Sequence, residues 1–157
     1  MKIILVIVTL LLSGCALTPI PYAPPLEGPT ATVNFQNNSH RDLEISFYKE
    51  SDGCKGLQTT PVISPNTHAT HVIYAGRPLT FEYYLLQFKQ AGSFCFMNLR
   101  FVPETNHNYL FQTTDNPFSC KWIMSDITQS KKPKTIKLEA LQRLHGGDGS
   151  FCRKDPE

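Results

Sequence analysis

Four cysteines in the central and C-terminal parts of the sequence are the residues best placed for covalent or metal chemistry. Their spacings are 41, 25 and 32 residues, and no CxxC pair occurs. Structural zinc sites usually draw on closely spaced ligand pairs, so this pattern disfavours zinc. An even number of cysteines in an exported chain favours two disulfides instead. The four residues are Cys54, Cys95, Cys120 and Cys152.

Four cysteines allow three pairings, of which we favour Cys54–Cys152 together with Cys95–Cys120. Strand geometry attaches a condition to the second pair. We predict that consecutive hairpins connect the strands in this region, the first through the turn PETNHN at 103–108, so Cys95 and Cys120 lie beside the same end of the strand between them. On one flat sheet they would be about 10 Å apart, which no disulfide spans. The pairing therefore requires one of the two strands to lie in a facing sheet.

Two closely spaced histidines, His68 and His71, are the next candidates for metal binding. The residues around them are rich in β-formers. Positions three apart on a strand point to opposite faces, so the two imidazoles would not share a metal ion. We therefore predict no metal site, and we expect His40, His107 and His145 to lie in exposed turns or in the tail.

The sequence contains no recognisable catalytic constellation. No GxSxG or Ser-x-x-Lys element stands between a strand and a helix. The acids Asp115, Asp126 and Glu139 are scattered, with no evident pair for general acid and base chemistry. The glycine-rich run at 146–149 has no strand before it and no helix after it, so it does not predict a phosphate loop. We expect no catalytic residues and no cofactor, with an unrecognised hydrolase as an alternative.

The N-terminus carries the clearest targeting signal in the chain. After Met1 and Lys2, the run Ile3–Leu12 is aliphatic except for Thr9. Ten residues are too few for a spanning helix, which needs about 20, but they fit the apolar region of a secretory signal. The next residues, Leu12-Ser13-Gly14-Cys15, resemble the lipobox of bacterial lipoproteins at every position.

This resemblance implies cleavage before Cys15, diacylglycerol on its sulfur and an acyl chain such as palmitate on the new amino group. Two or more acyl chains anchor a protein stably. Ala16 replaces the aspartate that often marks inner-membrane retention in this class, which implies the outer membrane with a periplasmic domain. The lipid would also account for the fifth cysteine and leave an even number.

The residues after Cys15 predict a tether. Five prolines occur between Ala16 and Thr30. Proline lacks an N–H and favours extended geometry in its neighbour, so residues 15–30 should form a polyproline-like arm. Fully extended, it would span roughly 45 Å and would lift the domain off the bilayer.

Composition excludes one further class of partner. Removing residues 1–14 takes away one lysine and no acid, which leaves 14 basic and 13 acidic side chains in 143 residues. A net charge this close to zero does not suggest nucleic-acid binding. The short basic run Lys131-Lys132-Pro133-Lys134 could act as a solvated linker or as a weak contact for anionic lipid head groups.

In segment 31–130, apolar and polar side chains alternate as in β-strands, and no stretch has helical periodicity. About seven strands with regular turn signals predict an all-β, antiparallel sandwich of immunoglobulin-like or transthyretin-like type, with a small barrel as the alternative. Residues 131–157 should be loosely structured and tied by Cys152, with a last strand or one short helix at Thr135–Leu144. The expected strands are Thr32–Asn37, Leu43–Tyr48, Thr67–Tyr74, Leu79–Phe88, Cys95–Phe101, Tyr109–Thr113 and Ser119–Ile127.

Aromatic residues occupy both faces of the predicted strands. Tyr83 with Tyr84, and Phe94 with Phe96, cannot all face one core. They are either exposed, as a surface for a protein partner, or covered by residues 135–152. On the first reading, alanine at Tyr83 or Phe96 would leave folding intact and lose the partner.

The architecture of residues 31–128 resembles small β-rich envelope lipoproteins of bacteria. The resemblance implies a membrane-anchored module for protein interaction or structural support, accessory to an envelope assembly. An inhibitor or immunity protein for a cell-wall hydrolase is the alternative, and it would use a protruding loop. The loop Lys49–Gly56, with Glu50 and Asp52, is the candidate for that role.

Overall fold

The computed structural model describes residues 19–85, 95–114, 121–146 and 149–154. These residues form two β-sheets packed as a sandwich, and they contain no helix. The predicted all-β sandwich is therefore confirmed. The strands within the described residues are β1 (Ile20–Pro21), β2 (Thr30–Asn38), β3 (Leu43–Glu50), β4 (Lys55–Thr59), β5 (His68–Tyr74), β6 (Leu79–Leu85), β7 (Cys95–Phe101), β8 (Asn108–Thr114), β9 (Lys121–Asp126), β10 (Lys134–Thr135), β11 (Glu139–Gly146) and β12 (Gly149–Lys154).

One sheet has seven strands in the order β1-β4-β3-β6-β7-β11-β12, and the other has five in the order β10-β9-β8-β2-β5. We call them the seven-stranded and five-stranded sheets. Two neighbouring pairs, β1 with β4 and β2 with β8, are parallel, and the other pairs are antiparallel. The expectation of a purely antiparallel sandwich is wrong for these two pairs. No helix among the described residues has the length and apolar character needed to span a bilayer.

The core lies between the sheets and is rich in aromatic rings. Phe35 and Phe111 come from the five-stranded sheet, and Phe47, Phe81 and Tyr83 come from the seven-stranded sheet. All five side chains have at most 1% of their surface exposed. Their rings meet at centroid distances such as 5.3 Å for Phe81 and Phe111, close to perpendicular. Such edge-to-face contacts add to the free energy gained from burying the apolar surface.

The turn sequence PETNHN does not form the predicted hairpin. It carries the chain from β7 in the seven-stranded sheet to β8 in the five-stranded sheet. Asn106 adopts a φ of 62°, and its N–H donates to the Thr30 carbonyl over 2.8 Å. The Glu104 N–H donates to the buried Tyr109 hydroxyl. These contacts hold the turn against the start of β2, so β7 and β8 face each other across the core.

This crossing meets the condition set for the second disulfide. Cys95 begins β7, and Cys120 directly precedes β9, which lies in the other sheet. Cys95 is disulfide-bonded, whereas its predicted partner Cys120 lies outside the described residues.

Two groups of turns define the two ends of the sandwich. The β3–β4 end contains the turns at 51–54, 75–78, 102–107 and 127–133, because β3, β5, β7 and β9 all finish there. The β2–β3 end contains the turn at 39–42, where β2 finishes and β3 begins. At that end the fully buried Asn37 side chain donates to the carbonyls of Arg41 and Ile63 over 2.7 and 2.9 Å.

The expected free tether is wrong for residues 20–30. Ile20 and Pro21 add a two-residue strand to the edge of the sheet, where a missing N–H is tolerated. The Tyr22 N–H donates to the Thr59 carbonyl over 2.8 Å, and the Pro29 carbonyl accepts from Ala75 over 2.9 Å. We call residues 22–29 the strap. It runs along the domain surface from β1 to β2, so this part of the chain is not a free arm.

The expectation of a loosely structured C-terminal extension is also wrong. Three strands, β10 to β12, lie after residue 131, and Thr135–Leu144 is partly strand rather than helix. Cys152 in β12 forms the predicted disulfide with Cys54, with a Cα–Cα distance of 5.4 Å. In a flat sheet, five strand spacings between β4 and β12 would be about 24 Å. The β11–β12 hairpin must therefore fold over the outer face of the seven-stranded sheet.

Tyr83 gives a test of the core, because its hydroxyl is buried without a hydrogen-bond partner among the described residues. We expect Tyr83→Phe to leave stability unchanged or to raise it by about 1 kcal/mol, since an unpaired buried hydroxyl is costly. The matched control is Tyr109→Phe, which removes a bonded hydroxyl and should cost about 1 kcal/mol. Urea unfolding at neutral pH measures both. A larger loss for Tyr83→Phe than for Tyr109→Phe would contradict this reading.

The disulfide gives a second test. The double variant Cys54→Ser with Cys152→Ser opens a loop with a sequence separation of 98 residues. We expect the free energy of unfolding to fall by roughly 3–5 kcal/mol, because the unfolded chain gains entropy. The rate of amide hydrogen exchange should increase first in β11 and β12, because the disulfide holds these strands over the sheet. An unchanged urea midpoint together with unchanged exchange in the hairpin would show that packing alone keeps the hairpin in place.

Candidate functional site

The outer face of the seven-stranded sheet is covered at the β3–β4 end by the β11–β12 hairpin. Tyr48, Cys54 and Leu141 are each less than 7% exposed, and Leu57 and Cys152 pack against them. This small cluster is separate from the main core. The C-terminal segment therefore covers Tyr48 on the outer face, a residue that the sequence analysis did not assign to the covered set.

A polar network surrounds this cluster. The Tyr48 hydroxyl lies 2.8 Å from a Glu82 carboxylate oxygen and 2.9 Å from the Asn98 side-chain oxygen. Arg143 from β11 places its guanidinium 3.7 Å from Glu82 and over the Tyr48 ring. Burial, reinforced by the Glu82 charge, raises the pKa of Tyr48. The hydroxyl therefore stays protonated and ties three strands of the sheet to the hairpin.

The loop proposed as an inhibitory plug is held in this same network. Asp52 is 3.2 Å from Arg100, which also contacts Glu139 at 2.6 Å. The Ser51 hydroxyl accepts from the Thr80 N–H, and Cys54 is in the disulfide. Ser51, Asp52 and Cys54 are therefore fastened to the sheet, while the side chains of Glu50 and Asp52 remain exposed.

The strap closes the sandwich on its opposite side. Its only aromatic residue, Tyr22, packs on Phe47 at a centroid distance of 4.4 Å and on His71 at 5.8 Å. The Tyr22 hydroxyl donates to the Val72 carbonyl over 2.7 Å. Burial raises the pKa of Tyr22 to about 12, so this donor keeps its proton at neutral pH. Tyr22 thus joins the edge of the seven-stranded sheet to the edge strand β5 of the other sheet.

His71 lies under the strap, and His68 lies on the outer face of the same strand. The His71 ring contacts Tyr22, Phe35 and Phe47. Its Nε2 is buried without a hydrogen-bond partner among the described residues, and burial lowers the pKa of the imidazole. His68 is exposed. The two histidines therefore face opposite sides, as the strand periodicity predicts.

A cluster of one histidine and two carboxylates lies at the β3–β4 end. The sequence analysis did not predict it. His107 Nδ1 is 2.6 Å from Asp126, and Nε2 is 3.4 Å from Glu104. Partial burial alone would raise the pKa of Asp126, but hydrogen bonds from Thr128 and His107 hold it below its usual range. The β7–β8 and β9–β10 turns thus bring together two residues: His107, which was expected to be exposed, and Asp126, which was expected to be distant from other acids.

This cluster lines a cavity of about 300 Å³ with Thr128, Gln129, Lys132 and Lys134. An aspartate bound to a histidine can position the imidazole for catalysis. Here the outer nitrogen of His107 faces the Glu104 carboxylate rather than a hydroxyl or thiol. Among the described residues, no group of three or more His, Cys, Asp or Glu side chains is arranged to hold a metal ion. The contacts of His107 with Asp126 and Glu104 stabilise two turns, and Lys132 and Lys134 lie around the polar cavity.

A further cavity of about 250 Å³ lies at the same end. It lies beneath the strap, between Tyr22, Lys49 and the β5–β6 turn. The Arg77 guanidinium stacks 3.7 Å from the centroid of the Tyr74 ring. Both cavities are therefore bordered by cationic side chains from the β3–β4 end.

The residues predicted to form a partner surface separate into three groups. Tyr83 is fully buried in the main core, so it cannot contribute to such a surface, and alanine there would unfold the domain. Tyr84 and Phe96 are cross-strand partners on the outer face, with ring centroids 6.5 Å apart. Phe94, like Cys15, lies outside the described residues. Tyr84 and Phe96 are hereafter called the aromatic pair.

The buried imidazole gives a pH-dependent prediction. Because the folded-state pKa of His71 lies below that of the unfolded chain, the unfolded state binds the proton more readily. Stability present at neutral pH is therefore lost as the pH falls through the ordinary histidine pKa of about 6.5. We expect His71→Phe to reduce this loss, measured by urea unfolding at about pH 8 and about pH 5.

The control for this prediction is His68→Phe, which alters the exposed histidine three residues earlier on the same strand. It should leave the acid sensitivity of the wild type unchanged. Equal pH dependence in the wild type and in His71→Phe would assign the acid sensitivity to other groups.

No family model matches this chain, and no curated protein matches it.

Proposed function

We propose that this protein is an envelope lipoprotein, anchored to the outer membrane by acyl chains on Cys15, whose periplasmic sandwich binds another envelope protein. The apolar run Ile3–Leu12 and the residues Leu12-Ser13-Gly14-Cys15 support the anchor. The Cys54–Cys152 disulfide is compatible with an oxidising compartment outside the cytoplasm.

The observation that carries the binding role is the position of the aromatic pair. Phe96 is 39% exposed, and Tyr84 lies directly opposite it on the neighbouring strand. Both residues are near the β2–β3 end, where β6 finishes and β7 begins. The hairpin cluster around Tyr48 lies at the other end of the same sheet face. Exposed aromatic side chains are enriched at protein interfaces, where they contribute disproportionately to binding.

The surroundings of the pair indicate what a partner should offer. Glu44 on β3 is the cross-strand neighbour of Tyr84, which places a carboxylate beside the rings. A partner with an apolar side chain next to an arginine or lysine would match this surface. We therefore expect a protein partner rather than a nucleic acid or a small cofactor.

The test is crosslinking in intact cells, followed by purification of the full chain and identification of the attached protein by mass spectrometry. We expect Phe96→Ala to reduce recovery of the partner by about tenfold, the effect of losing a central aromatic contact. The matched control is Ile123→Ala, because Ile123 is 51% exposed on the outer face of the opposite sheet.

Two further measurements make the result decisive. Urea unfolding of both variants should match the wild type within about 0.5 kcal/mol, as expected for exposed positions. Intact-mass analysis of the membrane-extracted protein should show acyl groups, and Cys15→Ser should remove them. Unchanged partner recovery in a folded Phe96→Ala variant would reject the aromatic pair as the binding surface. An unacylated wild-type protein would reject the anchor.

A further inference from the structure

The structure limits how far the domain can stand from its proposed anchor. Four residues, 16–19, separate Cys15 from Ile20, which is hydrogen-bonded into the sheet. Five Cα–Cα steps reach at most about 18 Å. A tether of about 45 Å, expected when residues 15–30 are taken as one free arm, is therefore replaced by an arm less than half as long.

The direction of β1 identifies the end of the sandwich that lies nearest the anchor. β1 runs parallel to β4, with Ile20 opposite Gln58 and Pro21 opposite Thr59. β4 begins at Lys55, directly after the 51–54 turn. The chain therefore enters β1 from the direction of the β3–β4 end. The aromatic pair lies toward the opposite end of the sandwich.

The β3–β4 end also carries a concentration of basic side chains. They come from five separate elements, namely β3, β4, β10 and the turns after β5 and β9. Each of the six residues is exposed. They are Lys49, Lys55, Arg77, Lys131, Lys132 and Lys134.

Much of the acidic charge at this end is engaged by other side chains. Asp52 and Glu139 contact Arg100, and Glu104 and Asp126 flank His107. Glu27 and Glu50 are the other described acids of this end, and both are exposed.

At the opposite end, Arg41 and Lys121 lie with Asp42 and Glu44. The exposed basic side chains of the described residues are therefore concentrated at the β3–β4 end, from whose direction the chain enters β1.

We propose that the β3–β4 end docks on the anionic lipid head groups of the membrane that holds Cys15, with Lys131, Lys132 and Lys134 as the principal contacts. This proposal rests on the proposed lipid anchor. Two of these lysines, Lys132 and Lys134, line the polar cavity beside His107, where phosphate oxygens would meet them. Each basic side chain near an anionic surface adds to the attraction, and the short arm keeps these side chains within reach. The aromatic pair is then directed away from the bilayer.

The experiment is lysine footprinting of the full, acylated protein extracted from bacterial membranes. One sample is held in detergent, and two are reconstituted into vesicles of phosphatidylcholine alone or of phosphatidylcholine with phosphatidylglycerol. An amine-reactive reagent labels exposed lysines, and mass spectrometry reports each site. We expect several-fold lower labelling of Lys131, Lys132 and Lys134 on the anionic vesicles than in detergent, and high salt should weaken this protection.

The internal control is Lys121, which is exposed at the start of β9, about 17 Å from the strand end that pairs with Lys134. Its labelling should be the same in all three samples. A variant with Lys131→Gln, Lys132→Gln and Lys134→Gln should lose the difference between neutral and anionic vesicles at Lys49 and Lys55.

The possible results separate this proposal from the anchor on which it rests. A protein that carries no acyl group and does not float with vesicles would overturn the anchor itself. A protein that floats with both kinds of vesicle, but whose Lys131, Lys132 and Lys134 label as strongly as in detergent, would overturn only the docking of the β3–β4 end. Equal protection of Lys121 would also overturn it, because the orientation would then be random.

Discussion

The packing of phenylalanine rings between the two sheets is the interaction on which the rest of this structure depends. Phe35 contacts Phe47, Phe81 and Phe111, so one side chain of β2 meets rings from both sheets. Because strand side chains alternate, seating these rings in the core fixes which residues face outward. Tyr48 and Glu82 are then forced onto one outer face at the β3–β4 end, and Tyr84 onto the same face at the other end. The polar network and the aromatic pair are consequences of the core register.

The two segments that complete the sandwich come from outside its central strands. Tyr22 in the strap covers the side where β1 and β4 approach β5. On the other side, Leu138 enters the core as the chain passes from β10 to β11, and the Ile136 N–H donates to the Met124 carbonyl. A sandwich of two open sheets leaves such edges exposed to unwanted pairing. Here the N-terminal and C-terminal segments cover them, and the disulfide holds the second segment in place.

The sequence predicted the strands whose side chains alternate, because one face of each is buried. Thr30–Asn38, Leu43–Glu50 and Cys95–Phe101 were found within two residues of their predicted bounds. It missed β4, since Lys55–Thr59 contains a single apolar residue, and it took PETNHN for a hairpin because adjacent strands usually pair. The alternation within β6 separated Tyr83 from Tyr84, but it did not show which face is buried. Tyr83 was therefore wrongly assigned to a partner surface. The lysine run was visible in the sequence, but its place at the end from whose direction the chain enters β1 depends on the parallel pairing of β1 with β4, which two residues specify.

That two-residue strand has a larger effect on geometry than its length suggests. A free arm of 15 residues, with an extended reach of about 45 Å, would let the domain take any orientation above a membrane. Pairing Ile20 and Pro21 with β4 and seating Tyr22 removes most of that freedom, at the entropic cost of ordering the strap. The burial of the Tyr22 ring and its bond to Val72 offset this cost. β6, with seven residues, spans about 20 Å between the two ends of the sandwich. Under the proposed anchor and docking, a partner that binds the aromatic pair would approach from the side away from the lipid, roughly one strand length above its surface.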